Sequence, residues 1–131
     1  MNQFLIEKAS RYDVPATVAR ITEAASKHEW QNPATHNLQN SLAKAGQSVR
    51  PVQVIEICKP KFSGKMLELS DERIFSVMMP CRISVYEKED GKTYVSILDA
   101  SGMTVGMPPA VAEAMTSASK ESLAIVEEAL D

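Results

Sequence analysis

The segment Glu56-Ile57-Cys58-Lys59-Pro60 carries the densest chemistry in the chain. An aliphatic strand over 50–58 ends there. Pro60 then opens a helix, because its fixed φ suits the first helical position. Cys58 therefore stands near the positive end of a helix dipole with Lys59 beside it, and both effects favour a thiolate. Exposed amides at such a turn also suit an anion. The competing reading makes Cys58 a small hydrophobe closing a strand. Glu56 shares a face with Val52, Val54 and Cys58 by strand alternation. A carboxylate among aliphatics needs a partner. Arg82 or Lys59 could supply it, as a structural ion pair, or Glu56 could serve as a base beside the thiol.

Cys81 sits in Met78-Met79-Pro80-Cys81-Arg82 and shares a face with Ile83 and Val85, so it reads first as packing. His36, Cys58 and Cys81 lie 22 and 23 residues apart with no C-x-x-C pair, a spacing that specifies no metal. Met78, Met79, Met103 and Met107 suit Cu(I), and equally fill gaps in a core. His28 closes a helix, a structural place for partial positive charge. No P-loop, dinucleotide fingerprint or Ser-His-Asp order is present, and no cofactor is indicated. Three functions stay open. One is a small-ligand binding module, for a sulfur species or soft metal, using Cys58 with Cys81 and His36. The second is a homodimeric structural or interaction domain without chemistry. The third is an enzyme with a Cys58 nucleophile and a Glu56 base.

The elements that must position these residues follow from periodicity. A short strand is expected over 2–9. Asp13 caps a helix over 14–29, with Val14, Val18, Ile21, Ala25 and His28 on one stripe. A second helix is expected from His36 to Gly46, with Gly46 at its C′ position. The strand at 50–58 has aliphatics on both faces, which suits a central place in the sheet. A helix runs from Pro60 to about Leu69, and a strand over 74–88 bends at Pro80. Glu89-Asp90-Gly91 suits a three-residue hairpin loop that pairs Val85 with Val95 and Ile83 with Ile97. Residues 99–106 form a loop, and a last helix spans about 109–130. One helix between the strands at 50–58 and 74–88 usually makes them parallel, so Cys81 could approach Cys58 only if the second strand starts well before Pro80, which segment 74–79 allows. The expected fold is α+β, a two-layer domain over 1–131 with a mixed sheet and helices on one face.

Bulk composition narrows the partners. Hydrophobic residues are 44 % and charged residues 24 %, values that suit a packed core rather than a disordered chain. The net charge of -3 leaves no basic excess for phosphates, so nucleic acid is not an expected partner. No apolar run is long enough to span a membrane. The N-terminal residues lack a secretory pattern, and a cytoplasmic, reducing location is expected, where both thiols stay reduced. Helices able to cover one sheet face leave the other face or an edge for a second copy, so a homodimer is expected.

Two linked motifs carry a family resemblance. They are Glu56-Ile57-Cys58-Lys59-Pro60 and, about twenty residues on, Met79-Pro80-Cys81-Arg82-Ile83-Ser84-Val85-Tyr86-Glu87 with Gly91-Lys92-Thr93-Tyr94-Val95-Ser96. With His36-Asn37-Leu38-Gln39, Leu42 and Gly46, the chain resembles the bacterial and archaeal domain of unknown function 302 family over about 10–130. The resemblance implies a compact, dimeric α+β domain with no established reaction. Members with Gly and Leu in place of the two cysteines imply a fold that does not need the thiols. The chain departs from the family pattern at Lys59, often Asn, and at Glu29, where Gly is common before Trp. Pro33 and Thr35 interrupt what is usually a strand leading to the His.

Overall fold

The computed structural model describes residues 4–131, with Ser101 described by its backbone alone. Residues 2 and 3 of the expected first strand lie outside the described residues. The elements run β1 (Leu5–Ser10), α1 (Val14–Lys27), β2 (Gln31–Asn37), α2 (Leu38–Lys44), β3 (Val52–Cys58) and α3 (Pro60–Glu68). A 3-10 segment Ser70–Met78 follows, then β4 (Cys81–Glu87), β5 (Thr93–Leu98), a 3-10 turn Ala100–Met103 and α4 (Pro109–Leu130). The sheet order is β1-β5-β4-β3-β2. The fold is α+β, with the long helices α1 and α4 packed together over one face of the sheet.

Alternation selects that face. Ile55 and Ile57 of β3, Ile83 and Val85 of β4, and Val95 and Ile97 of β5 are buried under the helices. Each contributes about 1.5–3 kcal/mol by leaving water. From α1 come Val14, Ile21, Ala24 and Ala25; from α4 come Ala118, Ile125, Val126 and Ala129. The hairpin has the expected register, with Ile83 opposite Ile97 and Val85 opposite Val95. Gly91 takes φ +78°, and Lys88 N–H donates to Lys92 O at 3.1 Å.

Four expectations are corrected. The sheet is not mixed, because all four strand pairings are antiparallel. Of the strand expected over 74–88, residues 74–78 are 3-10 helix instead, and β4 begins only at Cys81. Phe75, Met78 and Met79 pack on a second core cluster with Met66 and Met115, while Ile74 and Val77 face solvent. Spacings of three and four put the first three on one helical side, a pattern hidden inside an apolar run. With β4 starting only at Cys81, the chain re-enters the sheet at the edge where β3 left it. His36 belongs to β2, not to a helix; α2 begins at Leu38, with Asn37 Oδ1 accepting from Asn40 N at 3.0 Å. Pro33 is tolerated because β2 is an edge strand and the register shifts between Gln31 and Ala34.

α1 stops at Lys27, two residues before the expected end. Trp30 N–H donates to Ala25 O at 2.9 Å and Glu29 N–H to Ser26 O at 3.0 Å, the paired bonds of a Schellman cap. Glu29 therefore occupies the left-handed position, at φ 65°. The cap turns the buried Trp30 indole onto the Phe62 ring, with centroids 6.0 Å apart.

Candidate functional site

Cys58 ends β3 one residue before the N-cap of α3, with Pro60 in the first turn as expected. Its Sγ donates to Ser63 Oγ at 3.4 Å, and Ser63 Oγ donates to Lys59 O at 3.4 Å. The Lys59 ammonium does not serve Glu56. It donates to Glu121 Oε1 at 2.7 Å and to His28 O at 3.2 Å. Trp30 Nε1 donates to the same Glu121 oxygen at 3.1 Å. Burial pushes the Glu121 carboxyl up, but the hydrogen bonds from Lys59 and Trp30 outweigh it and hold the group below the usual carboxylate range.

Cys81 opens β4 opposite Ile57, so the antiparallel ladder brings both cysteines to one edge of the sheet. The expected parallel pairing of these two strands is thereby overturned. Both are free thiols, half-buried. Burial pushes the Cys81 thiol up, and Cys58 raises it further. The two thiols line a cavity of about 270 Å³, walled by the ends of β3 and β4, by α3, by the 3-10 segment and by α4. Four thioethers, of Met66, Met78, Met79 and Met115, line it as well. Two of its serines are bound to backbone: Ser119 Oγ donates to Leu98 O and accepts from Ala100 N, and Ser122 Oγ donates to Ser119 O. Six of the lining residues thus carry sulfur. Ser63, Met66, Met115 and Ser119 escape sequence reading because only the packing of α3 and α4 brings them to the thiols.

His36, Glu56 and Arg82 form a second group on the sheet face away from the helices. His36 Nε2 lies 3.0 Å from Glu56 Oε2, and Arg82 Nη2 lies 3.7 Å from the same oxygen. The Glu56 side chain is only 15 % exposed, so it meets the need for partners that its aliphatic neighbours create. Arg82 is one of the two expected partners; His36 arrives from β2, which the helical reading hid. Arg82 also borders the cavity, whereas His36 does not line it. Met103 and Met107 do not line it either, and Met107 packs on the second core cluster. His28 caps α1 and binds Glu128 Oε1 at 2.9 Å, a structural place. Among the described residues no three of His, Cys, Asp and Glu gather as a metal site, and no helix is long and apolar enough to cross a membrane.

The family model for the domain of unknown function DUF302 matches residues 6–130. The chain belongs to this family. A solved member of it, an uncharacterized conserved DUF302 protein from Bacillus stearothermophilus, superposes with a TM-score of 0.85 at 18 % identity. The match covers 98 % of this chain and 99 % of that one, and at this identity it speaks for the fold alone. No curated protein matches the chain. The DUF302 fold thus accounts for the sheet order and the helical layer, and the chemistry rests on this chain's own side chains.

Proposed function

We propose that this DUF302 domain is a cytoplasmic binding module for a small, soft ligand, a sulfur species or a soft metal, and that the cavity between α3, α4 and the β3–β4 edge is its site. One observation carries the reading: two cysteines and four methionines line a single cavity. Small-ligand sites are concave, mostly apolar and supplied with a few convergent reactive groups. Cys58 is the group a ligand would meet, at a strand end and a helix start; Cys81 packs against the core behind it.

The test is alkylation of the native protein by iodoacetamide, with each site read by mass spectrometry. Cys58 is expected to react in the folded state and faster than Cys81. Filling the space with Ala118→Leu, where the small side chain borders the cavity, should slow Cys58 without unfolding the chain. A Cys58 closed to reagent until global unfolding would remove the reading.

A homodimer is the second reading, favoured by the helix-free sheet face. Val52, Val54, Tyr86 and Tyr94 share that face and are only half-buried. A second copy laid across it would cover them. Sedimentation showing only monomer at tens of micromolar, roughly above ordinary dimer dissociation constants, would exclude it.

A further inference from the structure

We infer that the cavity is a site for a monovalent soft metal ion, Cu(I), held by the thiolates of Cys58 and Cys81 with a thioether from Met78 or Met79. The inference rests on the cavity being a ligand site and names what it holds. Ligand softness is the first argument. Thiolate and thioether sulfur select Cu(I), whereas carboxylate and carbonyl oxygens select hard cations and imidazole suits zinc. No carboxylate and no imidazole line this cavity. Ligand number is the second. A structural zinc needs four strong donors. Two cysteines are all that the cavity provides of the usual set, and no three of His, Cys, Asp and Glu gather among the described residues. Cu(I) is satisfied by two or three sulfurs.

Topology is the third argument. The ladder that sets Cys81 opposite Ile57 leaves Cys58 one residue further along the adjacent strand. Met78 ends the 3-10 segment and Met79 follows it, two residues before Cys81, and both line the same cavity. Alternation alone would turn Cys58 away from Cys81, but its Sγ bonds Ser63 of α3, and Cys58, Cys81, Met78 and Met79 all border the same cavity. Two thiolates binding one Cu(I) leave the site with one net negative charge, and the Arg82 guanidinium is directed instead to Glu56. On binding, each thiol releases its proton to solvent as its S–Cu bond forms. The ion enters and remains as Cu(I), so no electron is transferred.

The experiment titrates the reduced protein, without oxygen, against the coloured Cu(I) complex of bicinchoninate. One equivalent of Cu(I) should pass to the protein. Cys58→Ser and Cys81→Ser should each weaken binding by about 100-fold or more, since even outer-shell partners of a metal site are worth 10–100-fold. Met78→Leu or Met79→Leu should weaken it by roughly 10-fold. X-ray absorption of the loaded wild-type protein, which does not depend on any variant folding, should show two or three sulfur neighbours and no nitrogen or oxygen. The site is overturned if Cu(I) stays with bicinchoninate, if the double serine variant takes it equally well, if light-atom neighbours dominate, or if Zn(II) binds more tightly. If neither methionine variant weakens binding, the thioether assignment is overturned. Failure with Cys58 still open to iodoacetamide removes the metal and leaves the cavity as a ligand site; failure with Cys58 closed removes both.

Discussion

Cys81 stands opposite Ile57 in the β3–β4 ladder, and this pairing puts two thiols that are 23 residues apart at one edge of the sheet. In a parallel arrangement the same residues would lie a strand length apart. Burial holds the Cys81 thiol above the ordinary thiol range, with Cys58 adding to the shift. Folding therefore favours its neutral form. The stability this contributes is fully present below the unfolded thiol pKa and is lost as pH rises through the folded value. The stability difference between wild type and Cys81→Ala should accordingly be constant from about pH 6 to 8, then shrink above about pH 8.5. Urea unfolding of both proteins across that range measures it. A difference that grows with pH would contradict the shift.

Glu29 pays a left-handed penalty, at φ 65°, to complete the cap of α1. Glycine meets none in that region. Glu29→Gly should stabilise the fold by about 0.5–1 kcal/mol, the conformational relief less the extra freedom of the unfolded chain. Thermal unfolding of the two proteins would show it; an equal or lower midpoint would mean that the Glu29 side chain makes a compensating contribution.

Gly91 occupies the same backbone region at φ +78° in the hairpin, with nothing within 4 Å of an added Cβ. Space is therefore not the obstacle. A β-branched side chain resists the conformation itself, so Gly91→Val should cost about 1 kcal/mol or more. Gly91→Asn should cost less, because asparagine tolerates the left-handed region better. Equal losses for the two variants, in urea midpoints at fixed slope, would mean that the loop adopts another conformation.

His36 and Glu56 approach to 3.0 Å across the β2–β3 edge, with the His36 side chain half-exposed and Glu56 largely covered. A double-mutant cycle of His36→Ala and Glu56→Gln should give a coupling of about 0.5–1 kcal/mol, a partly screened hydrogen-bonded pair. The same cycle between His36 and Cys58 should give none, since their hydrogen bonds go to different partners. Coupling confined to the second pair would place His36 with the thiol instead.

Much of the architecture is legible from residues close together in the chain. Asp13 and Pro15 start α1, and Asp13 does accept from Ala16 N. Pro60 starts α3, Gly46 closes α2 at positive φ, and Gly91 sets a hairpin whose aliphatics match only in one register. These devices act over two to five residues, so composition and periodicity reveal them. The buried stripe of α4, from Val111 through Ala129, is legible for the same reason. Sequence reading also singles out Cys58, Cys81, Glu56 and Arg82, because their residue types stand out against aliphatic strands.

Tertiary structure alone decides which of those residues meet. Phe75, Met78 and Met79 have helical spacing inside a run that also suits a strand, and only the second core cluster selects the helical form. That choice moves the start of β4 to Cys81, makes β3 and β4 antiparallel, and brings the thiols together. Residues 31–37 carry no strong alternation, and they become a strand because β3 offers an unpaired edge. That pairing, in turn, delivers His36 to Glu56. Hydrogen bonds between strands join residues far apart in the chain, and their energy is gained only when a partner edge is present. Local pattern therefore names the candidate groups, and the pairing of the sheet assigns Cys58 to Cys81 and Glu56 to His36.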